Sequence, residues 1–130
     1  MIYLDTSVAL AHLLAEDRRP PEHIWKETLV SSRLLEYELW TRIHALDRGK
    51  SLGEAVRLLL GRVAMIELLP MVLARAVEAF PRPVRTLDAL HLASIVYLRG
   101  AGQEVSLASY DSRLVTAARS LRIPIADLTS

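Results

Sequence analysis

The chain has 130 residues, 52% of them hydrophobic but only 5% aromatic, no cysteine, and a formal charge of +1 from 16 basic and 15 acidic side chains. Those totals suit one domain with an interior of Leu, Val, Ile and Ala, and they exclude a disulfide framework or a thiolate metal site. Near-neutrality excludes a global field drawing the protein onto nucleic acid, so any polyanion must be held by a local patch.

Ile2-Tyr3-Leu4 is a short strand that stops at Asp5-Thr6-Ser7, after which Val8 to Leu14 has a helical pattern. The apolar run from Val8 to Ala15 is broken by His12 and followed by Glu16 and Asp17, and Asp5 stands where a signal peptide carries basic residues. No stretch approaches the ~20 uninterrupted apolar residues of a membrane helix, so the expectation is a soluble, cytoplasmic protein without a membrane partner. The second proline of Arg18-Arg19-Pro20-Pro21 suits the first turn of a helix through Ile24, Trp25 and Leu29. Leu29-Val30-Ser31-Ser32 is a second strand, feeding a helix over Arg33 to Asp47 with Leu35, Leu39, Ile43 and Leu46 on one face and Gly49 closing it. Ser51-Leu52-Gly53-Glu54 fits a capping box for a helix from Leu52 to Leu60, ended by Gly61.

Met65 to Leu69 is a third strand stopped by Pro70, and a helix follows from Met71 to Ala79. Phe80-Pro81-Arg82-Pro83 is an extended loop, since each proline restrains the residue before it. Thr86 opens an apolar helix over Leu87 to Leu98, ended by Gly100 and Gly102. Glu104 to Ser109 is the fourth strand, Asp111 to Ser120 the last helix, and Ile123-Pro124-Ile125 a weak edge strand. Strands alternating with helices predict an α/β fold, a single three-layer α/β/α domain over residues 1–130 with a mostly parallel four- to five-stranded sheet.

Acids recur at one kind of place. Asp5 follows the first strand, and Asp111 follows the fourth and starts the last helix; if these strands are neighbours where the sheet order reverses, both carboxylates meet at one crevice. Asp88 lies in the first turn of a helix that is otherwise nearly all apolar, which places it on a rim or facing a cavity that holds a counter-ion. The helix after the second strand offers Glu36 and Glu38, which at ~100° per residue point about 200° apart, so at most one faces the site. Periodicity does not choose between them. Crowded carboxylates repel and raise one another's pKa unless a cation neutralises them, and hard oxygen ligands suit Mg²⁺ or Mn²⁺. Such an ion activates water and screens a phosphodiester under attack, so the pattern points to phosphoryl transfer to water. Taken singly, Asp5 and Asp111 are also good helix-start residues. An Asp-x-Asp phosphatase is disfavoured because Asp5 is followed two positions on by Ser7.

Four segments, Tyr3-Leu4-Asp5-Thr6-Ser7, Ser31-Ser32 with Glu38-Leu39 and Arg42, Leu87-Asp88-Ala89-Leu90-His91-Leu92-Ala93, and Ser109-Tyr110-Asp111-Ser112-Arg113-Leu114, together resemble the PIN-domain ribonucleases, in particular VapC-type toxins of toxin–antitoxin pairs. The resemblance runs from one end of the chain to the other. It implies a PIN-like fold and Mg²⁺- or Mn²⁺-dependent RNA cleavage, with Asp5, Glu38, Asp88 and Asp111 holding metal and the attacking water. Alignment on Ser32 is what prefers Glu38 to Glu36. Ser7 and Ser109 would support the site by hydrogen bonding, although family members often carry Thr, Asn or Asp where this chain has Ser109. A cognate VapB-type antitoxin seated in an apolar groove and a homodimer are implied partners.

Around that set, Arg113 is a possible contact to a substrate phosphate, and Arg18, Arg19 and Arg85 are possible RNA contacts from loops. His91 reads as a partly buried histidine with a structural hydrogen bond, and Trp25 and Trp40 as anchors of a core or partner groove. The alternative to an enzyme is a non-catalytic PIN-like module binding RNA or a partner, which gains nothing from carboxylate repulsion.

Overall fold

In a computed structural model that describes residues 1–129, four strands, β1 (Ile2–Leu4), β2 (Leu29–Ser32), β3 (Val63–Ile66) and β4 (Ser106–Ala108), form one sheet in the order β3-β2-β1-β4. Every pairing is parallel, with Tyr3 opposite Val30 on one side and Leu107 on the other. Six α-helices connect and follow them: α1 (Thr6–Leu13), α2 (Leu34–Ala45), α3 (Gly49–Leu60), α4 (Pro70–Ala76), α5 (Thr86–Gly100) and α6 (Ser112–Ser120).

Because side chains alternate along a strand, neighbouring residues enter opposite layers. Ile2, Leu4, Leu29, Val63 and Ala108 join Val8, Leu35, Leu39, Ile43, Val56 and Leu59 in a core beneath α1, α2 and α3. Tyr3, Val30 and Leu107 point the other way and pack with Leu92, Ile95, Leu114 and Ala118 of α5 and α6. The sheet is therefore covered on both faces, as its mainly buried strands require. Helix α4 packs on α5 outside this second layer. Trp25 and Trp40 both lie against the first core, beside His12 and His44 respectively.

Several boundaries differ from the sequence pattern. The helix expected after Pro21 shortens to a single 3-10 segment, Glu22–Lys26, because Leu29 is drawn into β2. Gly49 does not close α2 but opens α3; the left-handed residue of that corner is Asp47, at φ 54°. The capping box is absent because α3 begins before it, and the Ser51 hydroxyl donates instead to the Arg48 carbonyl. The final edge strand is one bridge, Ile125 to Leu107, in which the Leu107 N–H donates to the Pro124 carbonyl and the Ala126 N–H to the Leu107 carbonyl. Pro124 has no N–H to extend it.

The chain lays down β1, β2 and β3 outward in one direction, and β4 then returns to the opposite side of β1. The order reverses between β1 and β4. In open α/β sheets the crevice beyond the carboxyl ends of such a strand pair is where ligands bind.

Candidate active site

Asp5 leaves β1 at that switch point, with its N–H donating to the carbonyl of Ala108, the last residue of β4. It is 93% buried, since only 7% of its surface is exposed, and it caps α1. Its Oδ2 accepts the hydroxyls of Ser7 at 2.6 Å and Ser109 at 2.8 Å. Each serine is fixed in turn by a backbone donor, the Tyr110 N–H to Ser7 Oγ at 2.9 Å and the Asp111 N–H to Ser109 Oγ at 3.0 Å. The loops after β1 and β4 are thereby stitched through one carboxylate oxygen. Oδ1 has no hydrogen-bond partner among the described residues.

Asp111 caps α6, its Oδ1 accepting from the N–H groups of Arg113 at 3.0 Å and Leu114 at 3.3 Å. Its Oδ2 lies 3.8 Å from a terminal guanidinium nitrogen of Arg85. Asp88, in the first turn of α5, sits on the other side of the same guanidinium, with Oδ2 3.6 Å from Arg85 Nε. Burial raises the Asp88 carboxyl above its ordinary pKa, and the negative charges of Asp111 and Asp5 push the same way, against the opposing pull of Arg85. Asp88 thus feels the charges of two acids from two other elements across one crevice.

The two glutamates of α2 have different surroundings. Glu36 pairs with Arg33 at 3.2 Å in an exposed cluster that includes Glu67. Glu38 accepts from His91 Nε2 at 2.6 Å. His91 lies one turn after Asp88 and is 2% exposed, more deeply buried than the partly buried histidine expected from the sequence, and it makes hydrogen bonds as expected there. Its Nδ1 meets the Tyr3 hydroxyl at 2.7 Å, and that oxygen accepts the Ser32 N–H at 3.1 Å. A neutral imidazole protonated at Nε2 satisfies every member of this chain. Burial lowers the His91 pKa, but the adjoining Glu38 carboxylate, with Asp5 and Asp88 beyond it, more than offsets that and leaves it raised. The Tyr3 hydroxyl is pushed well up by burial and stays protonated.

Tyr3 is the residue sequence reasoning missed. Its strand position marks it as apolar core, and the available signal was that a buried tyrosine hydroxyl needs a partner. The sequence presents Arg85 only as a loop cation, whereas the structure sets it between Asp88 and Asp111. Of the other arginines, Arg18 lies over the Tyr110 ring at 4.7 Å and Arg113 lines the cleft beside Asp88, whereas Arg19 is exposed on the loop after α1.

The donor set fits a hard divalent cation, because it consists of carboxylate oxygens and because burial, with the added repulsion of Asp111 and Asp5, disfavours the charged form of Asp88. Among the described residues, however, no three Asp, Glu or His side chains already converge on one point at ligating distance. An ion would have to draw them together, with Arg85 giving way.

A parallel α/β/α domain with acids gathered at its switch point is the class that fold and crevice define. Residues 2–120 match the model of the PIN domain. The chain is 30% identical to ribonuclease VapC35 of Mycobacterium tuberculosis over 131 aligned positions, 96% of this chain and 95% of that protein. It is 31% identical to ribonuclease VapC46 of the same organism over 128 positions, 95% of each. Among solved structures it resembles M. tuberculosis VapC20, a sarcin–ricin loop cleaving toxin, with a TM-score of 0.67 at 20% identity over 90% of this chain and 95% of that one. It also resembles a chain of the VapBC-1 structure from nontypeable Haemophilus influenzae, with a TM-score of 0.72 at 19% identity over the whole of both chains. The chain belongs to the PIN-domain family, among its VapC-type members.

Proposed function

We propose that this protein is an Mg²⁺- or Mn²⁺-dependent endoribonuclease, the toxin of a type II toxin–antitoxin pair. The observation that carries the proposal is the shared crevice at the β1/β4 switch point, where Arg85 bridges Asp88 and Asp111 and where burial first, and then the charges of Asp111 and Asp5, raise the pKa of the Asp88 carboxyl. Asp5, Glu38, Asp88 and Asp111 are the assigned ligands. Bound there, a divalent cation lowers the pKa of a water and screens the charge that develops on the phosphodiester. The chain's own part is placement. Ser7 and Ser109 hold Asp5 Oδ2, leaving Oδ1 for ligation, and His91 restrains Glu38. The caps by Asp5 and Asp111 tie two ligands to the rigid starts of α1 and α6.

The curated relatives are named ribonucleases, and one structural neighbour comes from a VapBC structure, which supports RNA as substrate and a VapB-type antitoxin as partner. Exposed Tyr37, Leu58, Met71 and Val77 offer apolar surface for that partner and for a homodimer. No helix among the described residues is long and apolar enough to cross a membrane.

A second reading, a binding module without catalysis, is favoured by one observation: among the described residues no three acidic or histidine side chains already converge on a point. The two are separated by incubating purified protein with RNA and Mn²⁺ beside EDTA and Asp88→Asn controls. Cleavage by the wild type alone is the expected result. Cleavage in all three would mean a contaminating nuclease, and RNA binding without cleavage would establish the binding module.

A further inference from the structure

Beside Asp88, a cleft opens between the loop before α5 and the first turns of α6. Its walls carry Arg82, Arg85 and Arg113, with the Ser112 and Thr116 hydroxyls. Three guanidinium groups repel a cation and outnumber the one carboxylate, Asp88, at the rim, and guanidinium and hydroxyl groups are those that bind phosphate oxygens. Two of the arginines, Arg82 and Arg113, have no ion-pair partner among the described residues. The third, Arg85, is 65% exposed, and its distances of 3.6 and 3.8 Å to Asp88 and Asp111 are those of charge attraction without a hydrogen bond. Arg85 is thus held loosely between two carboxylates at the mouth of the cleft. Anything positive that takes its place releases it into the company of Arg82 and Arg113.

We infer that this cleft is a subsite for an RNA phosphate flanking the one that is cut, and that Arg85 is an exchangeable cation serving both sites. It neutralises Asp88 and Asp111 until a divalent ion binds, and then turns to the phosphate. This rests on the metal-dependent nuclease reading above. Two consequences follow from linkage. Arg85 competes with the metal, and metal and phosphate bind with positive coupling, each tightening the other by the same factor.

The test uses Mn²⁺ binding, followed by the electron paramagnetic signal of free Mn²⁺, and calorimetric binding of uridine 3′,5′-bisphosphate, which has phosphates on both sides of one nucleoside and no diester to cut. Arg85→Ala should bind Mn²⁺ more tightly than the wild type, by about fivefold or more. The same variant should bind the bisphosphate more weakly in the presence of Mn²⁺. Arg85→Lys should restore the weaker Mn²⁺ affinity, because a lysine still competes. Arg82→Ala and Arg113→Ala should weaken the bisphosphate alone and leave Mn²⁺ affinity unchanged, and Lys50→Ala, on α3, should alter neither. Equal or weaker Mn²⁺ binding by Arg85→Ala overturns the exchange, and undiminished bisphosphate binding in all three arginine variants overturns the subsite. A wild type that binds no Mn²⁺ removes the metal-dependent reading and this inference together, whereas Mn²⁺ binding that is indifferent to Arg85 removes the exchange and leaves the metal-dependent reading standing.

Discussion

His91 Nε2 lies 2.6 Å from Glu38 Oε1, joining α5 to α2 across the end of the sheet. Behind this contact the Tyr3 hydroxyl meets His91 Nδ1 and accepts the Ser32 N–H. A residue of β1 that points into the opposite core layer from Leu4 thereby sets the position of the Glu38 carboxylate through His91.

Tyr3→Phe keeps the ring and removes only the hydroxyl. It leaves the Ser32 N–H and His91 Nδ1 without their partner in a fully buried setting. Loss of about 1–3 kcal/mol in unfolding free energy is expected, because a buried polar group left unpaired costs its full desolvation. Denaturant unfolding measures it. A change within the error of the wild type would show that the hydroxyl contributes nothing to the core.

Ser7 and Ser109 converge on the same oxygen, Asp5 Oδ2, and their own oxygens lie 3.4 Å apart. Ser7→Ala and Ser109→Ala should each destabilise by about 1.5–3 kcal/mol, the range for hydrogen bonds to a charged group. The double variant should depart from the sum by at least about 0.5 kcal/mol, because the two hydroxyls share one acceptor and stitch the same pair of loops. Strict additivity in a double-mutant cycle would mean that the two bonds act independently.

What the sequence made legible depended on how far apart the interacting groups lie in the chain. The strands, the helices between them and the acids at the ends of β1 and β4 come from local pattern, and the parallel sheet with Asp5 and Asp111 at its switch point is the arrangement that pattern implies. Helix ends were less legible. Asp47 took the left-handed position for which Gly49 is the better residue, and α3 then started early enough to place Ser51 and Glu54 inside it. Contacts between distant segments left no local trace. Tyr3 and His91 are 88 positions apart, and nothing in either neighbourhood names the other. Arg85 stands three residues before Asp88, but its second carboxylate, Asp111, belongs to another helix.

His12 gives a pH dependence away from the acidic crevice. Its ring packs on Trp25 with centroids 4.6 Å apart. Burial lowers its pKa, and the charges of Arg19 and Arg62 add to that effect against a smaller opposing pull from Glu22. A histidine whose folded pKa is depressed contributes stability that is present above its unfolded pKa and lost as pH falls through the folded value. Its imidazole is partly exposed, so the contribution is small. Stability measured by denaturant between about pH 7.5 and about pH 5 should therefore fall less steeply in His12→Gln than in the wild type. Identical slopes would show that His12 titrates alike in both states.

The choice between Glu36 and Glu38 is open to a measurement that needs no RNA. Mn²⁺ that binds only the folded protein raises the melting temperature, with about 2.7 kcal/mol of added stability at a hundred times the dissociation constant. Asp5→Asn should abolish that rise, since Asp5 is buried at the centre of the hydrogen-bonded loops and its Oδ1 has no partner among the described residues. Glu38→Gln should reduce it strongly. Glu36→Gln should leave it intact, because Glu36 pairs with Arg33 in an exposed cluster that includes Glu67, and such a pair contributes at most about 1 kcal/mol to stability. EDTA should return the wild type to its starting melting temperature while leaving Asp5→Asn unmoved. If Glu36→Gln alone lost the response, the ligand from α2 would be Glu36, and the contact from His91 to Glu38 would be a structural bond between two helices and nothing more.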